Sequence, residues 1–225
     1  MKSLIEYINE SNQVELVSDG KERGFDYVDL GLPSKTMWAT CNVGADKPED
    51  QGLLFQFGRV DGYRYRDKNS QFRTNAQNLE DGSTIEYIPI TSTGKTYKVN
   101  DILDLADDAA HVNMGGKWRM PTKDELKELF NNTTRKVETI NRVKGMLFTS
   151  KINNKRLFVP FAGYWYNGSF AAAGSSADVW SSQVHPSYVN SAYILYCYSS
   201  GNAGINISYY RSIAFSVRGV FKNSI

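Results

Sequence analysis

The stretch Gly115-Gly-Lys-Trp-Arg-Met-Pro-Thr122 is followed directly by Lys123-Asp-Glu-Leu-Lys-Glu-Leu-Phe130. Together they contain the clearest helix signal in the chain. Thr122 and Glu125 have the spacing of a capping box, in which a hydroxyl and a carboxylate satisfy each other's free backbone amides. The apolar residues that follow share one helix face: Leu126, Leu129 and Phe130. We therefore predict a helix that begins after Thr122 and packs on the core.

Outside this helix the chain consists mostly of short apolar runs separated by Gly, Asn, Pro and Ser, a pattern typical of strands joined by turns. The predicted strands are residues 25–32, 37–43, 53–57, 85–90, 146–150, 157–160, 179–182, 192–198, 205–208 and 214–221. Residues 71–82 are predicted to be a loop, and residues 102–110 suggest a second short helix. Few helices among many short strands favour an α+β fold.

Residues 1–24 differ from the rest and are predicted to form an N-terminal docking helix and linker, followed by one domain at residues 25–225. Leu4, Ile5 and Ile8 lie on one face of a short helical pattern. A helix this short is marginal alone in water, so it needs a surface, either its own domain or another protein. We find no signal-peptide pattern and no apolar run of about 20 residues, and therefore expect neither export nor a membrane span.

Composition and motifs give little support to catalysis. The formal net charge is +2 with both signs interspersed, which predicts no nucleic-acid or membrane surface. The segment 93–96 reads Thr-Gly-Lys-Thr, but a phosphate loop also requires a glycine where Pro89 stands, so we predict a turn. Cys41 and Cys197 lie in apolar runs and are interpreted as buried free thiols.

Metal-binding patterns are also missing from the sequence. His111 and His185 are the only histidines and neither has zinc-ligand spacing. Four aspartates lack the spacing of a calcium loop and are interpreted as a solvated acidic helix face: Asp101, Asp104, Asp107 and Asp108. We predict no metal, no cofactor and no enzymatic activity.

The stretch at residues 186–211 is rich in Tyr, Ser and Asn, a composition typical of binding surfaces, because Tyr offers a large contact area at low entropic cost. A hairpin whose rings simply pack across strands explains the same composition, and strand alternation would place some rings inside. The candidate binding residues are Tyr188, Tyr193, Tyr196, Tyr198, Asn202, Asn206, Tyr209 and Tyr210.

Other residues are predicted to form the framework. Three tryptophans in short apolar runs are expected in the core: Trp38, Trp118 and Trp180. Arg119 and Arg218 are flanked by apolar residues and are expected to pair with buried carbonyls or acids, with Asp26 or Asp29 as possible partners.

Several segments together resemble the Fibrobacter succinogenes major paralogous domain, over residues 25 to 221. The matching segments are Tyr27-Val-Asp-Leu-Gly-Leu-Pro-Ser34, Met37-Trp-Ala-Thr-Cys-Asn-Val-Gly-Ala45, Pro48-Glu-Asp-Gln-Gly52, Asp108-Ala-Ala-His-Val-Asn113, Gly115 to Thr122, Phe158-Val-Pro-Phe-Ala-Gly-Tyr164, Val179-Trp-Ser-Ser182 and Phe215-Ser-Val-Arg-Gly-Val220. The resemblance implies a C-type-lectin-like fold, related to that of formylglycine-generating enzymes.

The resemblance implies a scaffold that presents a variable surface. The catalytic cysteines of the formylglycine-generating enzymes have no counterpart at matching positions, and neither calcium-lectin signature, Glu-Pro-Asn or Trp-Asn-Asp, is present. The tyrosine-rich segment resembles the diversified region of phage adhesins on this fold, although Gly219 stands where a Pro is usual.

The N-terminal residues 1–11 resemble the short N-terminal peptides of virion proteins in crAss-like and other large tailed phages. The resemblance implies a homo-oligomeric virion protein assembled in the host cytoplasm: a capsid decoration or head-fibre subunit. Its N-terminus would dock on other virion proteins, and its domain would bind a host-surface glycan or another protein. The alternatives are a tail-associated receptor-binding protein, an adhesin on the bacterial cell surface and an enzyme of the formylglycine-generating type.

Overall fold

The computed structural model describes residues 14–64, 77–78, 84–85, 88–166 and 169–223. Its helices are α1 (Ala109–Met114) and α2 (Lys123–Asn131), with a 3-10 turn at Leu105–Asp107. Its strands are β1 (Gly20–Glu22), β2 (Phe25–Val28), β3 (Thr36–Asn42), β4 (Leu54–Gln56), β5 (Gln77–Asn78), β6 (Thr84–Ile85), β7 (Thr133–Ile140), β8 (Val143–Ser150), β9 (Arg156–Pro160), β10 (Tyr164–Tyr166), β11 (Ser169–Ala171), β12 (Ser176–Val184), β13 (Ser191–Tyr198), β14 (Ala203–Tyr210), β15 (Ala214–Ser216) and β16 (Arg218–Lys222). This mostly β architecture with few helices is compatible with the predicted α+β class.

The strands form two larger and two smaller sheets. The largest has the order β11-β10-β15-β12-β13-β14, with β4 also paired to β15. A second sheet has the order β1-β2-β3-β16, a third is β7-β8-β9, and β5 pairs with β6. Strands β15 and β16 follow one another directly, so the C-terminal segment joins the two larger sheets.

Helix α2 begins where the sequence predicts. The Thr122 hydroxyl accepts from the backbone N–H of Glu125 at 3.2 Å, and the Glu125 carboxylate accepts from the N–H of Thr122 at 2.9 Å. Leu126 and Leu129 are fully buried and pack in one core cluster with residues of β8, β9 and β12. The capping box and the apolar face are therefore confirmed.

The three tryptophans are core residues, as predicted, with Trp38 1% exposed and Trp118 and Trp180 wholly buried. The indole N–H of Trp118 donates to the Glu22 carbonyl at 2.9 Å, and that of Trp180 donates to the Phe55 carbonyl at 2.8 Å. Both bonds join segments about 100 residues apart in sequence, so these side chains hold distant strands together.

Arg119 and Arg218 are held by polar partners, but not by the acids that the sequence suggests. Arg218 is buried and donates to the side-chain carbonyl of Asn42 and to two backbone carbonyls, those of Ala39 and Phe158. Arg119 forms a two-pronged ion pair with Glu125 at 2.7 and 2.6 Å.

Asp26 and Asp29 lie elsewhere. Asp26 accepts hydrogen bonds from Lys21 and Ser18 at the surface, and Asp29 accepts from the backbone N–H of Gly31. The proposed pairing of either acid with Arg119 or Arg218 is therefore wrong, because both aspartates are engaged by groups close to them in sequence.

The predicted boundary after residue 24 is also corrected. Gly20–Glu22 is strand β1 and pairs with β2, so it belongs to the domain and not to a linker. Glu22 also accepts the Trp118 bond, and Asp19 accepts from the backbone N–H of Asp29. Leu4, Ile5 and Ile8, the predicted docking residues, lie outside the described residues.

The acidic run is not a solvated helix face. Asp107 is buried and accepts from the Thr93 backbone N–H, the Thr93 hydroxyl and the Tyr97 hydroxyl. Asp108 is buried too and caps α1 by accepting from the His111 N–H. Because Asp108 is a cap, the helix begins after it, and the predicted helix at 102–110 is replaced by the 3-10 turn and α1.

Two further sequence predictions, a turn and a strand, can be compared with the structure between β4 and α1. A turn lies at residues 91–94, where the Gly94 N–H donates to the Thr91 carbonyl at 3.1 Å, so it overlaps the turn predicted at 93–96 but begins two residues earlier. The strand predicted at 85–90 is reduced to β6, because residues 88–90 have no strand structure and residues 86–87 lie outside the described residues.

Candidate functional site

The tyrosine-rich stretch forms the hairpin β13–β14, and strand alternation divides its rings between two faces. Asp178 of β12 pairs with Tyr196 of β13, and Trp180 pairs with Ile194, so these side chains share one face of the sheet. Tyr193 lies on the other face, because its position in β13 is odd where that of Tyr196 is even. The residues that looked like one surface in the sequence are therefore not one surface.

Tyr188 and Tyr193 stack on His185 at the turn between β12 and β13. The imidazole lies between the two rings, with centroid distances of 4.8 Å to Tyr188 and 5.7 Å to Tyr193. His185 Nδ1 accepts from the backbone N–H groups of Ser187 and Tyr188, both at 3.0 Å, and burial lowers the pKa of His185. This stack shapes the turn.

Of the two tyrosines that stack on His185, only Tyr188 is exposed enough to contact a ligand. Tyr188 is 58% exposed, whereas Tyr193 is 4% exposed and has the Lys123 ammonium over its ring at 4.9 Å. Tyr193 is thus removed from the set of candidate contacts, because the N-terminus of α2 covers its face.

Three other candidates come together as a tyrosine cluster, defined here as Tyr196, Tyr198 and Tyr209. The rings of Tyr196 and Tyr198 are 5.3 Å apart, and the hydroxyls of Tyr198 and Tyr209 are 3.4 Å apart. All three side chains are half-buried. Tyr209 packs edge-on against Phe215 of β15 at 5.4 Å, which anchors the cluster to the core.

Gly204 of β14 makes room for this cluster. It lies directly opposite Tyr196, and a Cβ placed there would come within 2.7 Å of the Tyr196 hydroxyl. The Tyr196 ring therefore lies across β14, on the side of β13 that faces away from β12. The Tyr198 hydroxyl points the same way, towards Tyr209 on β14.

Asp178 lies on the same face as the cluster, in the middle of the sheet. Its side chain is 2% exposed, and its Oδ2 accepts from the Ser176 hydroxyl at 2.9 Å. Its Oδ1 is buried and has no hydrogen-bond partner among the described residues. Burial, opposed only by the Ser176 bond, raises the pKa of Asp178 to about 7.

The remaining candidates lie apart from the cluster. Tyr210 is 42% exposed, next to the buried Arg211, and Asn202 is exposed in the turn between β13 and β14. The side chain of Asn206 lies outside the described residues. Asp178 was missed by the sequence reasoning, and the signal was present: one acid in the otherwise apolar or small run 176–180.

The two cysteines are free thiols, as interpreted from the sequence. Cys197 is fully buried, and burial raises its pKa well above the usual range. Cys41 is half-buried at a cavity of about 220 Å³ between β3 and the β1–β2 hairpin, and burial raises its pKa as well. A raised pKa opposes the thiolate that a cysteine-based oxidase needs.

Within the ranges that the structure describes, no three His, Cys, Asp or Glu side chains are grouped so that they could hold a metal ion. In the same part of the chain no helix has the length and apolar character needed to cross a membrane. Comparison with models of protein families, with curated proteins and with solved structures finds no match to this chain.

Proposed function

We propose that this chain is a binding module without enzymatic activity, and that the tyrosine cluster with Asp178 is its binding face. The observation that carries the proposal is the placement of three half-buried tyrosines and a carboxyl group with a free acceptor on one face of β12–β13–β14. Aromatic rings beside a few directed polar groups are the usual lining of a ligand site.

We further propose that the ligand is a glycan on a host cell surface. Ring faces of tyrosine offer flat apolar area for the C–H face of a sugar, and their hydroxyls offer hydrogen bonds at the rim. A carboxylate adds a strong acceptor for sugar hydroxyls. A single small site of this kind binds weakly, so the proposed homo-oligomer would gain affinity from several copies acting together.

The setting that we propose is a phage virion, as a capsid decoration or head-fibre subunit with a C-type-lectin-like domain. The support is the resemblance described above. The segments that carry it include Trp38, Trp118, Trp180 and Arg218, which are buried and hold the framework. The tyrosine cluster lies outside those segments, as a variable binding surface would.

The binding face is tested with purified protein on an array of bacterial surface polysaccharides and simple glycans. Tyr198→Ala should weaken binding about tenfold or more, because removing a central tyrosine commonly costs over 1 kcal/mol. Tyr188→Ala is the matched control, since Tyr188 is exposed but lies in the His185 stack. Unchanged binding by Tyr198→Ala, or loss only in Tyr188→Ala, would show that the cluster is not the site.

The virion setting is tested by deleting residues 1–13, which leaves β1 and its contacts in place. The truncated domain should fold, with an unchanged circular dichroism spectrum, but should be lost from particles purified from infected cells. Labelling with antibody in electron microscopy then locates the full-length chain. A position on the tail would indicate a receptor-binding protein, and a position on the bacterial cell would indicate an adhesin.

A further inference from the structure

A buried aspartate such as Asp178 is energetically unfavourable in a strand in the middle of a sheet. A buried acceptor without a partner costs about 1 to 3 kcal/mol, and more when it carries a charge. The Ser176 hydroxyl supplies one bond to Oδ2, which leaves Oδ1 buried and unmatched within the part of the chain that the structure describes. An asparagine or a serine would fill the same place at lower cost, so the carboxyl group itself calls for an explanation.

No cation compensates Asp178. Among the described residues it forms no ion pair, and the Ser176 bond is the one interaction that favours its ionised form. The neighbouring strands contribute Tyr196 and Tyr198 from β13 and the apolar ring of Phe215 from β15. Asp178 is 2% exposed, so a ligand that displaced the side chains covering it would find a lone acceptor beside phenol groups.

We propose that Asp178 Oδ1 is the acceptor for a hydroxyl group of a neutral sugar that stacks on Tyr196 and Tyr198, and that this site rejects acidic sugars. The inference rests on the proposed glycan-binding function and names its ligand class. A sialylated, sulfated or phosphorylated glycan would bring a second negative charge to a site where the described part of the chain offers no cation to receive it. A sugar hydroxyl brings the donor that Oδ1 lacks.

The tyrosines beside Asp178 lean away from its strand. The hydroxyls of Tyr196 and Tyr198 point towards Gly204 and Tyr209 on β14, away from β12. The proposed site therefore requires the side chains that bury Asp178 to move outward when the sugar binds. Gly204 provides the space that keeps the Tyr196 ring in this position.

Binding should depend on pH through Asp178. A hydroxyl donates best to the ionised carboxylate, and the pKa of Asp178 is raised to about 7 by burial. Two titratable neighbours, Tyr198 and Cys197, have raised pKa values and stay neutral in the same range. The Tyr209 bond and burial raise the pKa of Tyr198, and burial raises the pKa of Cys197 on the opposite face.

The experiment measures binding of the full chain to immobilised oligosaccharides that end in glucose, galactose, mannose or fucose, and to the same glycans bearing sialic acid or sulfate. The wild type should bind one or more neutral glycans at pH 8. Between pH 8 and pH 6 that affinity should fall about tenfold, since the ionised fraction of a group with a pKa of about 7 falls by about that factor.

Asp178→Asn should bind at least about tenfold more weakly at pH 8 and should show no such dependence on pH. Asp26→Asn is the matched control, because Asp26 pairs with Lys21 on a different sheet, and its binding should equal that of the wild type. Thermal unfolding of each variant checks that it is folded.

The outcomes separate the two proposals. Equal binding by Asp178→Asn and wild type, or a preference for the acidic glycans, overturns the Asp178 site and leaves the tyrosine face as a glycan-binding surface. Binding of no glycan by the wild type overturns both. Binding to a lysine-rich peptide in place of the sugars would assign the carboxylate to a protein partner and would also overturn the neutral-sugar site.

Discussion

Two buried carboxyl groups, Glu125 at the start of α2 and Asp178 in β12, differ in how the protein satisfies them. Glu125 is 6% exposed and receives two hydrogen bonds from Arg119 and others from Thr122. Burial alone would raise the pKa of Glu125, but the bonds from Arg119 and Thr122 outweigh it, and the pKa is lowered. Asp178 has one bond, and its pKa is raised.

The comparison separates a framework carboxylate from one that is free to act on something else. Around Glu125 the donors come from its own helix cap, from Arg119 and from the Thr36 hydroxyl of β3, so the group fixes the helix on the sheet and has little capacity left. Around Asp178 the sheet supplies one hydroxyl and no charge. Fully satisfied buried networks hold a fold together, whereas a partly satisfied group marks strain or function.

The largest effect is expected when the framework carboxylate is removed. Glu125→Ala leaves the Arg119 guanidinium and the Thr122 amide without their acceptor, and breaking a buried pair in this way costs about 4 kcal/mol. The free energy of unfolding, measured in urea, should fall by that amount. Asp104→Ala removes an exposed pair with Lys95 and should change the same free energy far less. Similar losses in both variants would contradict the distinction.

A smaller effect on the free energy of unfolding is expected from Asp178, and there the ionised carboxylate destabilises the fold, whereas that of Glu125 stabilises it. Its folded pKa, about 7, lies above the ordinary value of 3.8, so the unfolded chain ionises first. The stability that the neutral acid allows is present at low pH and is lost as pH rises through the folded pKa.

Relative to Asp178→Asn, the wild type should therefore lose about 3 kcal/mol between pH 5 and pH 8, at 1.36 kcal/mol per pKa unit. Urea unfolding of both proteins at several pH values measures the difference, and pH effects from all other groups cancel in it. A difference that stays constant with pH would show that Asp178 titrates normally.

The smallest change in stability is expected from Gly204→Ala. The added Cβ meets the end of the Tyr196 side chain, a group that can move, and not the backbone. We expect a loss of less than about 1 kcal/mol together with weaker glycan binding, because the ring leaves its place over β14. Gly201→Ala is a poor control, since Gly201 has a φ of 90°, so Ala203→Gly in the same strand serves better. Unchanged binding would mean that the Tyr196 position is unimportant.

How much of this could be predicted from the sequence depends on whether the deciding contacts are local. The capping box joins residues three apart, and both partners can be identified from their spacing. The burial of Trp38, Trp118 and Trp180 follows from their size and apolar neighbours. The partners of Arg218 come from residues more than 50 positions away, and the sequence therefore suggested the wrong acids.

Contacts that the local spacing does not reveal also explain the structure of the acidic run and of the first strand. Asp107 is buried because Thr93 and Tyr97 fold back on it, and nothing in the spacing of the four aspartates reveals that loop. Gly20–Glu22 is polar and has no strand pattern, and it is a strand because β2 offers it an edge. Local composition predicted solvent exposure in both places, but pairing with a neighbouring strand or loop decided otherwise.

By itself, the sequence predicted an α+β domain of many short strands, with three core tryptophans, one capped helix and tyrosines concentrated in one segment. Only the tertiary structure decided which tyrosines share a face and which acid lies beside them. The reason is physical: the period of a strand alternates its side chains, but the register with β12 and the cover provided by α2 select the face that stays open. Tyr193 and Tyr196 are three residues apart, so alternation places them on opposite faces, and the cover of α2 decides that Tyr193 is the buried one.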